Sequence, residues 1–268
     1  MGIAALKRNG IKVTVGVMEE EARELNRTFI INQLHKRPYI TAKVALTMDG
    51  FMAEENHKSQ WISGTKSRED VHQLRAEVDA ILVDKGTVEH DNPRLDVRLV
   101  EGKNPRRIVF DTNLSTSLDS FVYTAINNEN NTIVVHSDEA RANQFQGKGI
   151  VLCKVNLNNN GKADITEVLS KIFVEHSIGH ILLEGGSELF SSYYELDLID
   201  EIIVYQTSKI IGKGISPFAK INPQSLTSDS RFTFETFKKM DNDEFYYGEL
   251  NKLALSSIIK AFFSKKKS

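Results

Sequence analysis

The chain has 268 residues, a formal net charge of −2 and 40% apolar residues, enough for one large domain, or one domain with an appendage, around a sizeable core. That charge excludes a general electrostatic drive toward nucleic acid or an anionic membrane. The single cysteine, Cys153, excludes an intramolecular disulfide, and no run reads as a signal peptide or is long enough to cross a bilayer, so a soluble cytoplasmic protein is expected.

Residues 1–36 read as a fragment of a neighbouring unit. Ala4–Arg8 suits a helix end, Ile11–Val17 alternates like a strand, and Glu19–Leu34 suits one helix with Ala22, Leu25 and Phe29 on its apolar face. Arg37-Pro38 marks a boundary. Tyr39–Thr47 is rich in β-branched residues and reads as a strand, followed by a turn at Met48-Asp49-Gly50. Lys43 lies inside that strand. Its charge needs a partner if it is buried, and two readings stay open: a solvent-facing or acid-paired lysine, or a functional one.

Ser59–Gly64 is a polar loop holding the only tryptophan, Trp61, which suits either a core anchor or a stacking surface for a planar ligand. Ser67 and Asp70 have capping-box spacing and predict a helix with Val71, Leu74 and Val78 on its buried stripe and Arg75 beside it. Ala80–Val83 is a buried strand ending in the turn Asp84-Lys85-Gly86-Thr87. Arg94 and Arg98 follow in a Pro-containing loop, where arginine forks can bracket a phosphate or simply be solvated. Arg107–Asp111, Thr132–His136 and Ile150–Val155 are further strands, and Asp164 with Glu167 caps a helix bearing Ile165, Val168, Leu169, Ile172 and Phe173.

The stretch Gly179–Ser192 is the focus of the pattern. His180–Leu183 is a short buried strand, Glu184 ends it, Gly185 and Gly186 turn the chain, and Leu189, Phe190, Tyr193 and Tyr194 recur at helical spacing. The glycines are expected to take backbone angles other residues avoid. A strand, a glycine turn and a helix start gather unpaired N–H groups that suit a phosphate, although an ordinary strand–helix junction looks the same. Glu201–Thr207 is a strand, Lys209–Phe218 a glycine-rich loop, and Arg231–Lys238 with Phe245–Leu250 a closing hairpin turning near Asp241-Asn242-Asp243. The tail beyond residue 252 is apolar and then basic. It suits a loosely packed terminus better than a membrane-surface anchor. Strands alternating with helices predict an α/β fold with a mostly parallel sheet and an antiparallel C-terminal hairpin.

Zinc-deaminase, H-E-x-x-H, G-x-S-x-G, Walker and G-x-G-x-x-G patterns are all missing, so no metal site and no Rossmann dehydrogenase are expected. What remains is a set of strand-end turns that a parallel sheet would gather into one crevice.

The motifs Lys43–Gly50 (KVALTMDG), Ser59–Gly64 (SQWISG), Arg75-Ala76, Gly86–Arg98 (GTVEHDNPRLDVR), Arg107–Thr112 (RIVFDT) and Leu183–Ser192 (LEGGSELFSS) occur in order from about Arg37 to Leu250. In this the chain resembles the reductase domain of the bifunctional deaminase–reductase of riboflavin biosynthesis. The resemblance implies a dihydrofolate-reductase-like fold and NADPH-dependent reduction of 5-amino-6-(5-phosphoribosylamino)uracil at its ribosyl C1′. By position it implies NADPH contacts from Ala45, Trp61, Thr87, Asp91 and Thr112, and from Gly186, Ser187, Glu188, Leu189, Phe190, Ser191 and Ser192. It implies substrate contacts from Ser59, Arg75, Leu95, Arg98 and Glu184, with Lys43 against the substrate. For the chemistry, either Lys43 or Glu184 is expected to move a proton.

Two departures stand out. Asp84-Lys85 takes the place of small residues in the family pattern, and residues 1–36 resemble the end of a deaminase domain without its zinc motifs. The expected division is therefore 1–36 as a remnant, 37–251 as the reductase domain and 252–268 as a tail. A homo-oligomer is expected, with room for a separate deaminase as partner. The rival readings are a reductase of the same fold acting on a pterin-like substrate and a non-catalytic remnant.

Overall fold

The structure, a computed structural model, describes residues 2–59, 62–126, 131–222 and 231–250. Nine strands among them form one sheet: β1 (Tyr39–Leu46), β2 (Ala80–Asp84), β3 (Arg106–Phe110), β4 (Thr132–His136), β5 (Val151–Lys154), β6 (His180–Leu183), β7 (Glu201–Thr207), β8 (Phe232–Met240) and β9 (Asp243–Leu250). Their order is β5-β4-β3-β2-β6-β1-β7-β9-β8. All neighbours from β5 to β7 run parallel, and β9 and β8 close the edge antiparallel. This is the mixed, mostly parallel sheet with a C-terminal hairpin that the strand–helix alternation implies.

Eight α-helices accompany it among the described residues. α1 (Gly2–Arg8), α2 (Glu19–Leu25) and α3 (Arg27–His35) precede the sheet; α4 (Thr65–Glu77), α5 (Lys85–Asp91), α6 (Glu139–Ala142), α7 (Ile165–His176) and α8 (Ser187–Glu195) connect its strands. Parallel strands must be covered on both faces. Accordingly Ile81, Leu82, Val83, Ile108, Val109, Ile133, Val134 and Val135 are fully buried. One face packs Ala42, Leu82, Ile108, Ile133 and Leu183 against α7 and α8. The other packs Ile81, Val83, Val109 and Leu182 with Val88 of α5, and Ile203, Tyr205 and Met240 with Val71 of α4.

α7 shows how sequence becomes packing. Asp164 accepts from the Thr166 and Glu167 N–H groups and starts the helix, and Val168, Leu169 and Ile172 bury its apolar face. Each such side chain contributes roughly 2 kcal/mol. Leu169→Ala would cost about 2–5 kcal/mol by leaving a cavity.

Several local expectations are corrected. Residues 11–16 form no strand: the Ile11 N–H turns back to the Leu6 carbonyl, none of the described strands pairs with the stretch, and Val15 and Val17 are exposed. The expected helix 19–34 is two helices broken at Asn26, whose side-chain amide donates to the Ala22 carbonyl. The expected apolar face points outward, with Leu25 87% exposed, while Ile31 and Asn32 face the sheet. Asn32 donates to the carbonyls of Arg37 and Gly179, tying the segment to β1 and β6.

α4 opens two residues before Ser67, and its first turn has no side-chain cap of its own. The expected turn at Asp84–Thr87 is the start of α5, where Asp84 accepts from the Thr87 N–H at 2.7 Å. Gly185 and Gly186 adopt ordinary backbone angles. They are glycines for space: a Cβ on Gly185 would sit 2.6 Å from the Leu189 Cδ2 atom. Trp61 and the tail 252–268 lie outside the described residues.

Candidate active site

The carboxyl ends of the parallel strands lie along one edge, the place where open α/β sheets hold ligands. Glu184 follows β6 directly, and its N–H donates to the Leu82 carbonyl of β2 at 3.0 Å, which fixes its backbone at the sheet end. Arg75, in the last turn of α4, grips its carboxylate with a full fork: Nε to Oε1 at 2.7 Å and Nη2 to Oε2 at 2.8 Å. Lys43 projects from β1 with Nζ 3.8 Å from Glu184 Oε2. Side-chain exposures of 8% for Glu184, 12% for Arg75 and 19% for Lys43 leave the three dependent on one another, since a buried charge needs a partner.

The electrostatics follow from that closeness. Burial pushes the Glu184 carboxyl up, but the Arg75 charge and hydrogen bonds, with Lys43, outweigh it and hold the group down at about 2. Burial pushes the Lys43 ammonium below its ordinary range; Glu184 and Asp91 oppose this and Arg75 adds to it. The trio therefore offers a fixed carboxylate beside an amine that releases its proton more readily than a surface lysine.

Around this trio stand further polar groups. Ser59 donates to Asp91 at 2.9 Å, and burial raises the Asp91 carboxyl against that hydrogen bond. Arg98 donates its backbone N–H to His72 Nδ1 at 3.2 Å, while its side chain, 54% exposed, pairs with Asp96. The Asp96 carbonyl in turn accepts from Arg75 Nη1 at 3.3 Å. Leu95 is buried in the core and sits at φ 51°, a left-handed conformation unusual for a branched side chain. Arg94 lies over the Phe121 ring, 4.7 Å from its centroid, so Arg94 and Arg98 do not share one partner.

A second group forms where β2 and β6 end. α8 begins behind Gly186 with no side-chain cap, leaving its first N–H groups open. A Cβ on Gly186 would meet Asp84 Oδ2 at 3.2 Å and Thr87 Oγ1 at 3.8 Å, so Asp84, Thr87 and the glycines are neighbours. Of the segment 186–192, Leu189, Phe190 and Ser191 turn into the core, and Ser191 donates to the Pro217 carbonyl. Glu188 is exposed near Lys220, and Ser192 donates back to the Glu188 carbonyl. What α8 presents to a ligand is thus its opening backbone and Ser187. Ala45 lies two residues beyond Lys43 on the same face of β1, and Thr112 follows β3 with its carbonyl accepting from Ser137.

The model of one protein family, described as the RibD C-terminal domain, matches residues 38–245. The chain belongs to that family. It is the reductase-domain family that the motifs resemble. A riboflavin biosynthesis protein RibD from Aquifex aeolicus is 39% identical over 220 residues, covering 80% of this chain and 59% of that protein. The RibD of Actinobacillus pleuropneumoniae is 36% identical over 214 residues, covering 79% of this chain and 56% of that protein. The chain thus spans under two thirds of the length of these two relatives. Among solved structures, a Thermotoga maritima diaminohydroxyphosphoribosylaminopyrimidine deaminase/5-amino-6-(5-phosphoribosylamino)uracil reductase aligns with TM-score 0.78 and 29% identity, over 94% of this chain and 67% of that one. The fold is accordingly that of this RibD domain.

The sequence brought Lys43, Glu184, Arg75, Ser59 and Asp91 forward separately; the structure joins the first three by direct contact and the last two by a hydrogen bond. Sequence reasoning missed His72 and Asp96. His72 stands three residues before Arg75, which places the two on one helix face, and that spacing was the available signal. Burial and the charges of Arg75 and Arg98 hold His72 down at about 4, so it is neutral at neutral pH. Asp96 carried no local signal for its contact with Arg75, which is made by its backbone carbonyl. No helix among the described residues is long and apolar enough to cross a membrane.

Proposed function

We propose that this RibD-family chain is an NADPH-dependent reductase of riboflavin biosynthesis, converting 5-amino-6-(5-phosphoribosylamino)uracil into its ribitylamino product. The observation that carries the reading is the Lys43–Glu184–Arg75 trio at the strand ends, in a chain of this family. The uncapped start of α8, flanked by side-chain-free Gly185 and Gly186, fits a dinucleotide phosphate, with Thr87, Asp91, Ala45 and Thr112 as further contacts. Bound there, NADPH supplies the hydride.

The chain's own residues position and move a proton. When the ribosyl ring opens, the C1′–O4′ bond breaks, the ring-side nitrogen lone pair forms a C1′=N iminium, and O4′ needs a proton. Lys43 Nζ donates it and recovers one from solvent, which would leave C1′ electrophilic toward a hydride donor. Glu184, held ionised by Arg75, orients Lys43 and the substrate hydroxyls. Arg98, whose side chain reaches solvent, is the better phosphate partner, because the Arg75 fork is occupied by Glu184.

The reading includes a cytoplasmic homo-oligomer, a reductase unit over 37–251 flanked by the 1–36 and 252–268 segments, and a separate deaminase supplying the substrate. The test follows loss of reduced-nicotinamide absorbance with NADPH and with NADH, in the presence of the deaminated pyrimidine. Substrate-dependent oxidation that Lys43→Ala abolishes supports it; no oxidation by the wild type overturns it.

A further inference from the structure

The helix that brings Arg75 to Glu184 does not cap its own start. α4 opens at Thr65 behind Gly64, an N-cap residue with no side chain to accept from its first turn. The acceptor comes from the other end of the chain. Asp243, the first residue of β9, is buried, and its Oδ2 accepts from the Gly64 N–H at 2.6 Å and from the Ser67 hydroxyl at 2.6 Å. Charge-assisted bonds of this kind are roughly twice as strong as neutral ones, and a carboxylate at a helix N-terminus also meets the favourable end of the helix dipole.

The surroundings make the hold specific. Gly64 has no side chain to interfere: a Cβ there would meet Asp243 Oδ2 at 3.2 Å. One turn on, the Tyr205 hydroxyl of β7 donates to Asp70 at 2.6 Å, and Val71 packs on Ile203, Tyr205 and Met240. Lys66 also reaches Asp241, but both side chains are exposed, and such pairs contribute little. The antiparallel edge of the sheet thus seats the start of α4. Ten residues beyond Thr65, about 15 Å further on at 1.5 Å per residue, the helix carries Arg75 into the parallel half. In the other direction the chain leads back from Gly64 to Ser59, which Asp91 holds. Asp91 and Asp243, carboxylates from distant elements, therefore hold Ser59 and Gly64 respectively.

We infer that Asp243 is a positioning residue for the reaction: acting through Gly64 and Ser67, it seats α4 and so sets where Arg75 meets the substrate. The inference rests on the reductase reading above and adds to it a residue that touches neither ligand. Without the Asp243 carboxylate the Gly64 N–H and Ser67 hydroxyl lose their acceptor, and the first turn of α4 is free to fray. Lys43 and Glu184 are set by β1 and β6 and stay in place. The loss therefore falls on substrate binding rather than on the chemical step.

The test is steady-state kinetics on full-length Asp243→Ala, Asp243→Asn and Ser67→Ala, below the melting temperature of each. Asp243→Ala is expected to raise KM for the pyrimidine roughly tenfold, the scale of one lost charge-assisted hydrogen bond, with kcat nearly unchanged. Asp243→Asn, which keeps an acceptor oxygen, is expected to restore most of the affinity. Ser67→Ala is expected to raise KM less, and the effects of Asp243→Ala and Ser67→Ala are expected not to add when combined. Should Asp243→Ala not fold, the KM rise in Ser67→Ala decides the question alone. An active wild type with unchanged KM in these variants, or a fall in kcat alone, overturns the inference. A wild type without turnover overturns the reductase reading and this inference with it.

Discussion

Arg27, in the N-terminal segment outside the family match, makes the most demanding contact between that segment and the sheet. Its Nη2 lies 2.9 Å from Glu201 Oε2 and its Nη1 2.6 Å from Glu249 Oε1, and both carboxylates are more than nine-tenths buried. The guanidinium also stands 5.8 Å from the Tyr39 ring centroid and 5.7 Å from that of Tyr247. Arg27→Ala leaves two buried carboxylates without a counter-charge. Breaking a buried pair from one side costs about 3–5 kcal/mol. Hydrogen bonds to Glu201 from Tyr39, Thr41 and Tyr247 remain and reduce the loss, so about 3 kcal/mol is expected. At roughly 2–4 °C per kcal/mol for a domain of this size, melting should fall by about 6–12 °C.

The pH dependence of that deficit identifies its origin. Burial raises the Glu201 and Glu249 carboxyls even with Arg27 opposing it. A carboxyl raised in the folded state contributes stability below its unfolded value, and that contribution is lost as pH rises through the folded value. Removing Arg27 raises both groups further, so the deficit should be largest near pH 8 and shrink as both carboxyls take up protons toward about pH 5. Thermal melts of wild type and variant by circular dichroism at both ends of that range measure it. A deficit under about 1 kcal/mol would place the contact among ordinary surface pairs, and a deficit independent of pH would refute the role given to the two carboxylates.

Other consequences are equally direct. Glu184→Gln keeps the shape but leaves Arg75 and Lys43 as unbalanced cations; turnover should fall by about 10²–10⁴-fold, and a variant with wild-type kcat would remove Glu184 from the mechanism. Gly185→Ala would drive a methyl against Leu189, and urea unfolding should show about 1–3 kcal/mol of lost stability, whereas a neutral result would mean that α8 shifts freely. His180 is held down at about 4, by burial first and then by Arg27. The unfolded chain binds that proton more readily, so this group contributes stability above about pH 6.5 that is lost on the way down to about 4, on the order of 3 kcal/mol. His180→Asn should flatten that acid limb in urea titrations, and an unchanged limb would assign it to other groups.

Periodicity, capping spacing and strand length are properties of neighbours in the chain, and they were readable as such. The apolar runs within β2, β3 and β4, the Asp164 cap of α7 and the strand–Glu184–glycine–helix junction all fell where the local pattern placed them. Partnership is not local. Nothing near Lys43 announces that Glu184 answers its charge, and the Arg75–Glu184 fork spans 109 residues of sequence. The start of α4 shows the same limit: Ser67 and Asp70 have capping spacing, yet the carboxylate that holds Ser67 lies 176 residues away. Leu25 and Phe29 repeat at helical spacing and still face outward, because the face that packs was chosen by Asn32 and Arg27 finding partners on the sheet. Local pattern determined which elements form, since backbone hydrogen bonding and side-chain period act within a few residues. Only tertiary packing decided which charges meet, since burial makes an unpartnered charge too costly and any complementary group the fold brings near will serve.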